Sequence, residues 1–215
     1  MITEFSKSNT VLNTFLRELR DVTIQGDSMR FRRNLERIGE IIAYEISKTL
    51  NYETVKITTP MTKTKSSIPL EEPVIATILR AGLPLHNGVL NYFDKAQNTF
   101  ISAYRKHGDQ NDFEVEIEYL ASPNIDGKTL ILCDPMLATG SSMVLAYKAI
   151  LEKGTPKKVH IVSVVASKSG MNFCIKNLPK EIDYWIGEID ETLDTKSYIV
   201  PGLGDAGDLA YGTKE

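Results

Sequence analysis

The chain has 215 residues, of which 42% are hydrophobic, and its formal net charge at pH 7 is −3. This size and composition fit one domain with an ample core, predicted to span residues 1–215. Because no basic stripe stands out and no apolar run approaches the roughly 20 residues of a membrane helix, we expect neither nucleic-acid nor membrane binding.

The chain opens with a polar arm, residues 1–27, followed by a long amphipathic helix. The arm lacks the apolar stretch of a secretion signal, so we expect a cytoplasmic location. Apolar residues recur at helical spacing from Ser28 to Leu50, with Ser28 as the predicted N-cap. Four arginines between positions 30 and 37 lie mostly off the apolar stripe and indicate a solvated or subunit-contact face rather than a ligand site. Ile41 and Ile42 suggest a dimer.

Short apolar runs that alternate with helical patterns predict an α/β fold with a mostly parallel central sheet flanked by helices. Ahead of them, Tyr52–Thr59 is a candidate short strand and Thr62–Leu70 a polar connection. The predicted sheet strands are Pro73–Leu79, Thr129–Cys133, Val159–Ala166 and, more weakly, Thr99–Tyr104; the predicted helices are Leu83–Phe93, Ser141–Lys153 and Met171–Leu178.

A strand with one solvent-exposed face is predicted at Phe113–Tyr119, where hydrophobic residues alternate with glutamates. The polar segment His107–Asp112 precedes it. Residues 98–121 are therefore predicted to form a β-hairpin that projects from the sheet, and such an appendage is a candidate active-site lid.

The stretch from Leu130 to Met143 predicts an anion site. A buried strand ends on Asp134, small and hydroxyl residues follow as far as Ser142, and a helical pattern then begins. Backbone N–H groups at the start of a helix bind anions, and a carboxylate can accept hydrogen bonds from hydroxyl groups. The stretch therefore suits a ligand that carries both, such as a phosphorylated ribose. No Walker loop or dinucleotide fingerprint is present. An ordinary strand-to-helix turn with Ser141 as its N-cap remains the alternative.

Arg80 follows the predicted strand that ends at Leu79, at the edge where α/β proteins bind ligands. Its planar guanidinium suits a diphosphate. The alternative is that Arg80 pairs with a nearby carboxylate.

The segment Tyr198–Thr213 holds four glycines and a proline, which predicts that it forms no regular helix. Backbone groups left free of regular structure can read the edge of a planar base, and Tyr198 and Tyr211 offer ring faces. A flexible C-terminal tail is the alternative, although the segment is more apolar than tails usually are.

The remaining polar and sulfur-bearing residues predict no metal or nucleophilic site. The three histidines have no partner spacing, no serine occupies a nucleophile elbow, and Trp185 is expected in the core or an interface. Four acidic residues between Glu188 and Asp194 indicate a solvated turn rather than a metal site. Cys133 and Cys174 match no metal or redox motif and are predicted to be reduced core residues.

These constellations occur together, and in this order, in uracil phosphoribosyltransferases, and the chain resembles that family from about Phe31 to Thr213. The resemblance is carried by Asp134–Ser142, by Leu79–Leu83 with Arg105, and by Tyr198–Asp208. It implies a type I phosphoribosyltransferase fold whose hood includes the C-terminal residues 182–215. It also implies a pyrimidine-salvage reaction, assisted by Mg²⁺, in which uracil and 5-phosphoribosyl 1-diphosphate give uridine 5′-monophosphate (UMP) and diphosphate.

The resemblance further implies a role for each matching residue. Asp134, Arg105 and Asp205 would be catalytic: the first binds the ribose, the second neutralises diphosphate with Arg80, and the third bridges base and donor. Mg²⁺ would arrive with the donor. The implied donor-binding residues are Arg80, Arg105, Asp134, Pro135, Met136, Leu137, Ala138, Thr139, Gly140, Ser141, Ser142 and Asp205, and the implied uracil-binding residues are Tyr198, Ile199, Gly204, Asp205 and Ala206.

The chain departs from the family pattern at two turns near the implied site. Ser167-Lys-Ser-Gly170 stands where the family usually has Ala-Pro-Glu-Gly, which leaves substrate affinity open, and Lys106-His-Gly-Asp109 replaces the usual lid residues. Two alternative functions remain at this point: a nucleotide-sensing regulator of the same fold, and the same reaction on another base. The family is typically oligomeric, so a homodimer or a higher homo-oligomer is expected, and GTP, which activates some members, is a candidate effector.

Overall fold

In the computed structural model, which describes residues 1–107 and 113–214, the chain forms an α/β fold; the side chains of 103–107 and 113–116 lie outside the described part. The strands are β1 (Ile2–Glu4), β2 (Tyr52–Thr58), β3 (Lys63–Pro69), β4 (Val74–Leu79), β5 (Gln97–His107), β6 (Phe113–Ala121), β7 (Thr129–Cys133), β8 (Met136–Leu137), β9 (Lys158–Ser167), β10 (Asp183–Asp190), β11 (Thr192–Leu193) and β12 (Ile199–Val200). The helices are α1 (Leu12–Arg20), α2 (Ser28–Ser47), α3 (Gly82–Leu90), α4 (Ser141–Ile150), α5 (Lys168–Asn177) and α6 (Ala206–Tyr211).

Eight strands form the central sheet, in the order β1-β10-β9-β7-β4-β5-β6, with the short β8 paired to β9. Neighbours are parallel except for β5 and β6, which pair antiparallel. Residues of α1, α2 and α3 form the core on one face, and residues of α4 and α5 form it on the other. Because helices cover both faces of the sheet, the central strands are continuous apolar runs. The predicted α/β fold with a mostly parallel sheet is confirmed.

The predicted strands and helices of the core are confirmed, with shifted ends. The prediction for β7 matches it residue for residue, whereas the predicted helix at Ser141–Lys153 ends as an α-helix at Ile150 and finishes in a 3₁₀ turn. The N-cap of α2 is Asp27, whose carboxylate accepts the Arg30 N–H at 3.0 Å, so the prediction of Ser28 was wrong.

The segment predicted as a polar connection, Thr62–Leu70, is in fact mostly β3. It pairs antiparallel with β2 in a separate two-stranded sheet whose residues are largely exposed. Reciprocal hydrogen bonds between Thr59 and Thr62 close the turn: the Thr59 N–H donates to the Thr62 carbonyl at 2.9 Å, and the Thr62 N–H donates to Thr59 Oγ1 at 3.0 Å. Strand prediction relies on the alternation of apolar and polar residues, and a hairpin exposed on both faces lacks this alternation. The sequence therefore did not predict β3.

The N-terminal residues pack on the sheet. Strand β1 adds a parallel edge to β10, and Leu12, Leu16 and Leu19 of α1 are buried in the core. The long helix α2 likewise places Ile42 in the core, so the apolar pair at 41–42 does not form an exposed contact face.

Arg20 at the end of α1 binds two acidic residues in the last part of β10. Its Nη2 lies 2.8 Å from both carboxylate oxygens of Asp190, and its Nη1 bonds Glu188. Asp190 is only 5% exposed, and it also accepts the Gly202 N–H at 2.8 Å. The prediction of a solvated acidic turn was therefore wrong at Asp190, because Arg20 compensates its buried charge.

Cys133 and Cys174 are free and buried, as predicted. Trp185 is buried too, and its Nε1–H donates to Nδ1 of His160 at 3.1 Å. Burial lowers the pKa of His160 to about 4, so this ring is neutral at neutral pH and packs as part of the core. Within the described residues, no helix has both the length and the low polarity required to cross a bilayer.

We predict that Arg20→Ala lowers the free energy of unfolding by about 3 kcal/mol, because it leaves the buried Asp190 carboxylate without its cation. Denaturant unfolding followed by circular dichroism measures the change. Arg17→Ala on the same helix is the matched control, since the Arg17–Asp21 pair is exposed and should contribute nothing measurable. Equal effects of the two substitutions would show that Arg20 does not hold Asp190 in this way.

Candidate active site

Strand β7 brings Asp134 to the carboxyl edge of the sheet, and the chain then stays bonded to β9. The Asp134 N–H donates to the Val162 carbonyl at 3.0 Å, and the Pro135 carbonyl accepts the N–H groups of Val164 and Val165 at 3.1 and 2.9 Å. Because these bonds fix the backbone on both sides of Asp134, its carboxylate stands at a defined position at the start of the next turn.

The turn that follows, residues 138–142, is named the phosphate loop after the role predicted for it. Its centre is Gly140, with φ of 81°, where a Cβ would lie 2.8 Å from the Gly170 carbonyl oxygen. Gly140 rather than Ser141 is the N-cap of α4, so the predicted Ser141 cap was wrong: the left-handed backbone at this position favours glycine. Among the described residues, no acceptor takes the N–H of Thr139 or Gly140. These donors, at the positive end of α4, suit an anion.

Burial raises the pKa of the Asp134 carboxyl from 3.8 to about 7, against a smaller lowering by the Met136 N–H. Asp134 and the phosphate loop line a cavity of about 50 Å³. A carboxyl that is partly protonated near neutral pH can both accept and donate hydrogen bonds, which suits ribose hydroxyls.

Arg80 reaches from the end of β4 to the C-terminal segment, residues 198–213. Its Nη2 lies 2.9 Å from Asp208 Oδ1, and its Nη1 donates to the Gly212 carbonyl at 3.2 Å. The Leu79–Arg80 peptide bond is cis, and Arg80 Nε is buried without a partner among the described residues. Arg80 therefore pairs with a carboxylate in this structure, as the alternative interpretation of the sequence expected. Its guanidinium still has N–H donors that are not used.

The C-terminal segment is an ordered part of the fold. Strand β12 pairs with β11, and Gly202, with φ of 56°, turns so tightly that a Cβ would lie 2.0 Å from the Ile199 carbonyl oxygen. Asp205 is the N-cap of helix α6, and its carboxylate accepts the Asp208 N–H at 3.0 Å. The prediction of no regular helix was wrong for α6, because three of the four glycines lie outside it. Leu203 is buried, which excludes a free tail.

A cavity of about 440 Å³ joins the C-terminal segment to the phosphate loop. The structure thus brings together all the residues predicted to contact uracil and four of those predicted to contact the donor, one of which, Asp205, belongs to both sets. Tyr211 is not among the lining residues; its ring lies under the guanidinium of Arg32, 5.9 Å away. The lining residues are Ala81, Met136, Ala138, Ser142, Lys196, Ser197, Tyr198, Ile199, Gly204, Asp205, Ala206, Gly207 and Lys214.

Two lysines of this cavity, Lys196 and Lys214, were missed by the sequence analysis. Lys196 lies in the turn between β11 and β12, where one carboxylate oxygen of Asp194 accepts the N–H groups of both Lys196 and Tyr198 at 2.8 Å. Ser197 between them has φ of 65°, an uncommon conformation for a residue with a side chain. No spacing in the sequence marks either lysine; the turn that Asp194 organises brings Lys196 to the site, and Lys214 follows α6.

Arg105 lies on β5, paired in register with Val115 of β6. Its side chain lies outside the described residues, as do residues 108–112 of the predicted lid, so its diphosphate role and the lid's behaviour stay predictions.

The sequence matches the uracil phosphoribosyltransferase family over residues 6–213. The chain belongs to this family. A protein named uracil phosphoribosyltransferase from Porphyromonas gingivalis is 56% identical over 206 residues, which are 96% of this chain and 95% of that protein. The family predicted from the three constellations is confirmed.

Solved structures agree with this fold. The AQ2163 protein from Aquifex aeolicus superposes with a TM-score of 0.86 at 31% identity, covering 99% of this chain and 98% of that one. A hypoxanthine phosphoribosyltransferase from Staphylococcus aureus shares the fold at a TM-score of 0.50 and 14% identity, covering 91% of this chain and 92% of that one. The predicted phosphoribosyltransferase fold is confirmed.

The raised pKa of Asp134 predicts a pH-dependent effect of Asp134→Asn. Between about pH 4 and about pH 7 the unfolded chain releases a proton that the folded wild type keeps, so wild-type stability falls as pH rises and then levels off. Asparagine does not titrate. The gain in unfolding free energy of Asp134→Asn over wild type should therefore grow up to about pH 7 and then stay constant.

Thermal or denaturant unfolding at several pH values measures this gain. The exposed Asp94→Asn is the matched control and should show no such trend. A difference between Asp134→Asn and wild type that does not change with pH would contradict the raised pKa of Asp134.

Proposed function

We propose that the chain catalyses uracil phosphoribosyl transfer in pyrimidine salvage, forming UMP and diphosphate from uracil and 5-phosphoribosyl 1-diphosphate. The observation that carries the proposal is the single cavity in which Ala138 and Ser142 of the phosphate loop meet the segment from Ile199 to Gly207. A phosphate site and a base site must share one cavity for a bond to form between the two substrates. The 56% identity to the Porphyromonas gingivalis protein of that name supports the same reaction.

The donor is proposed to lie along the phosphate loop, with Leu137 to Ser142 around its 5′-phosphate. The N–H groups of Thr139 and Gly140 and the start of α4 offer donors and a favourable dipole for that anion. Asp134 binds the ribose hydroxyls from the adjoining cavity. This arrangement holds the sugar by both ends and leaves C1′ to face the base.

The base is proposed to bind against the C-terminal segment. Ile199, Gly204 and Ala206 line the cavity and offer backbone groups to the edge of uracil, while Tyr198 offers a ring face. Asp205 lines the same cavity and is fixed by the Asp208 N–H, so it stands between base and donor. Backbone N–H and C=O groups of this tightly turned segment would select the base by the hydrogen-bonding groups along its edge.

The reaction forms the bond from uracil N1 to C1′ and breaks the C1′–O bond, whose electron pair leaves with the diphosphate; the N1 proton passes to water. Arg80 and Arg105 are proposed to stabilise the charge that grows on the diphosphate. Arg80 now pairs with Asp208 at the edge of the cavity, so donor binding requires it to share or exchange that partner.

Mg²⁺ fits the site as an ion that the donor carries. No group of three or more His, Cys, Asp or Glu side chains is placed to hold a metal in the described part of the chain. Mg²⁺ in phosphate sites is commonly held by one or two carboxylates together with substrate oxygens, and Asp134 and Asp205 are the carboxylates that line the two cavities. When bound, the ion supplies charge neutralisation at the diphosphate.

We also propose that the chain forms a homodimer or a higher homo-oligomer. The hairpin of β2 and β3 is exposed on both faces, and an isolated two-stranded hairpin is marginal in water. It nevertheless carries exposed apolar side chains, among them Met61 at 92% exposure and Leu70 at 55%. A second copy that covers the hairpin would bury them. The cytoplasmic location and GTP as an effector remain predictions of the sequence.

The enzymatic proposal predicts UMP formation from uracil and the donor with Mg²⁺, and little or no turnover of cytosine, orotate or hypoxanthine. Arg80→Met should lower kcat/KM for the donor by about 100-fold, because it removes a guanidinium from the departing diphosphate. Chromatographic detection of nucleotide product measures both. Arg33→Met is the matched control, since Arg33 pairs with Glu36 on the outer surface of α2.

Turnover of another base in preference to uracil would favour the same reaction on that base. Nucleotide binding without any product would favour the regulatory alternative.

A further inference from the structure

Ser167 ends β9 directly behind the phosphate loop. Its side chain has no exposed surface. The hydroxyl donates to the Ala138 carbonyl at 2.6 Å, accepts the Gly170 N–H at 2.9 Å, and lies 2.9 Å from the Ser169 hydroxyl. Ser167 therefore joins the first turn of α5 to a residue of the phosphate loop.

These three contacts use every hydrogen-bonding group of the hydroxyl. A serine hydroxyl has one proton and two lone pairs, and a carbonyl oxygen only accepts, so the proton of Ser167 points to Ala138. The lone pairs then accept from Gly170 N–H and from the Ser169 hydroxyl. Since nothing is left over for a ligand, any effect of Ser167 on a substrate is indirect, and Ala138 is the one of its three partners that lines both cavities.

The bond to Ala138 sets the direction of the next peptide group. In a planar trans peptide, the C=O and the following N–H point to opposite sides. Because the Ala138 carbonyl points back to Ser167, the Thr139 N–H points away from it. Thr139 lines the cavity of about 50 Å³ beside Asp134, and its N–H has no acceptor among the described residues.

Gly170 leaves room for the bond between Ser167 and the Ala138 carbonyl. A Cβ at this position would lie 2.2 Å from the Ala138 carbonyl oxygen and 2.9 Å from a methyl carbon of Leu137. Any larger residue would thus push the Ala138 carbonyl away from its bond with Ser167.

We infer that Ser167 is a positioning residue for the 5′-phosphate site: its hydroxyl holds the Ala138 carbonyl away from the anion and so presents the Thr139 N–H to it. The inference rests on the proposed function. A carbonyl turned towards a phosphate would repel it, whereas an N–H attracts it.

The test compares the binding of UMP and uridine, which differ only in the 5′-phosphate. Isothermal titration should show about 10-fold weaker binding of UMP to Ser167→Ala and unchanged binding of uridine, because one hydrogen bond to a charged group loses its alignment. The KM for 5-phosphoribosyl 1-diphosphate should rise by a similar factor, with kcat and the KM for uracil retained.

Three further variants separate positioning from stability. Ser163→Ala removes another fully buried hydroxyl of β9, one that bonds the Val165 carbonyl at 3.3 Å, and should leave UMP binding unchanged. Ser167→Thr keeps the hydroxyl and should bind UMP as wild type does. Gly170→Ala displaces the same carbonyl by a different route and should also weaken UMP more than uridine.

The outcomes distinguish the inference from the function on which it rests. Unchanged UMP binding by Ser167→Ala, or an equal loss for UMP and uridine, would overturn the positioning role and leave the enzymatic proposal intact. Wild-type protein that neither binds nor makes UMP would overturn both.

Discussion

The parallel pairing of β4 with β7 is the constraint on which the site depends. The register places Thr77 opposite Cys133, so the two strands end at the same edge of the sheet. Asp134 follows one strand directly and Arg80 the other, and both emerge where parallel α/β proteins bind their ligands. The sheet brings these two residues to the same edge, although 53 residues of chain separate them.

The base side of the cavity is held in place by cations from distant parts of the chain. Arg20 of α1 fixes Asp190, which in turn fixes the turn at Gly202. Arg32 of α2 donates to the Ala210 carbonyl at 2.7 Å, and Arg80 holds Asp208. The N-terminal helices therefore shape the segment proposed to recognise the base, so that the stability of the fold and the geometry of the site are linked.

The sequence predicted the core of the fold because buried parallel strands and amphipathic helices have strong, local patterns. It also located Asp134, the phosphate loop and the segment after Tyr198, since each combines unusual residue types in a short stretch. The predictions failed where the deciding contact is distant in the sequence. Asp190 was predicted to be solvated, but Arg20 of α1 pairs with it. Lys196 was not predicted at the site, because a turn organised by Asp194 places it in the cavity. The candidate strand at Tyr52–Thr59 is confirmed as β2, but its partner β3 was not predicted, because the hairpin is exposed on both faces and carries no apolar alternation.

A crystal structure with UMP tests the central claim most directly, namely that the phosphate loop and the C-terminal segment hold the two ends of one nucleotide. Phosphate oxygens should lie about 3 Å from the backbone nitrogens of Thr139 and Gly140, with the uracil ring against Ile199 and Ala206. A phosphate bound away from the loop, or a base that does not touch the C-terminal segment, would contradict it.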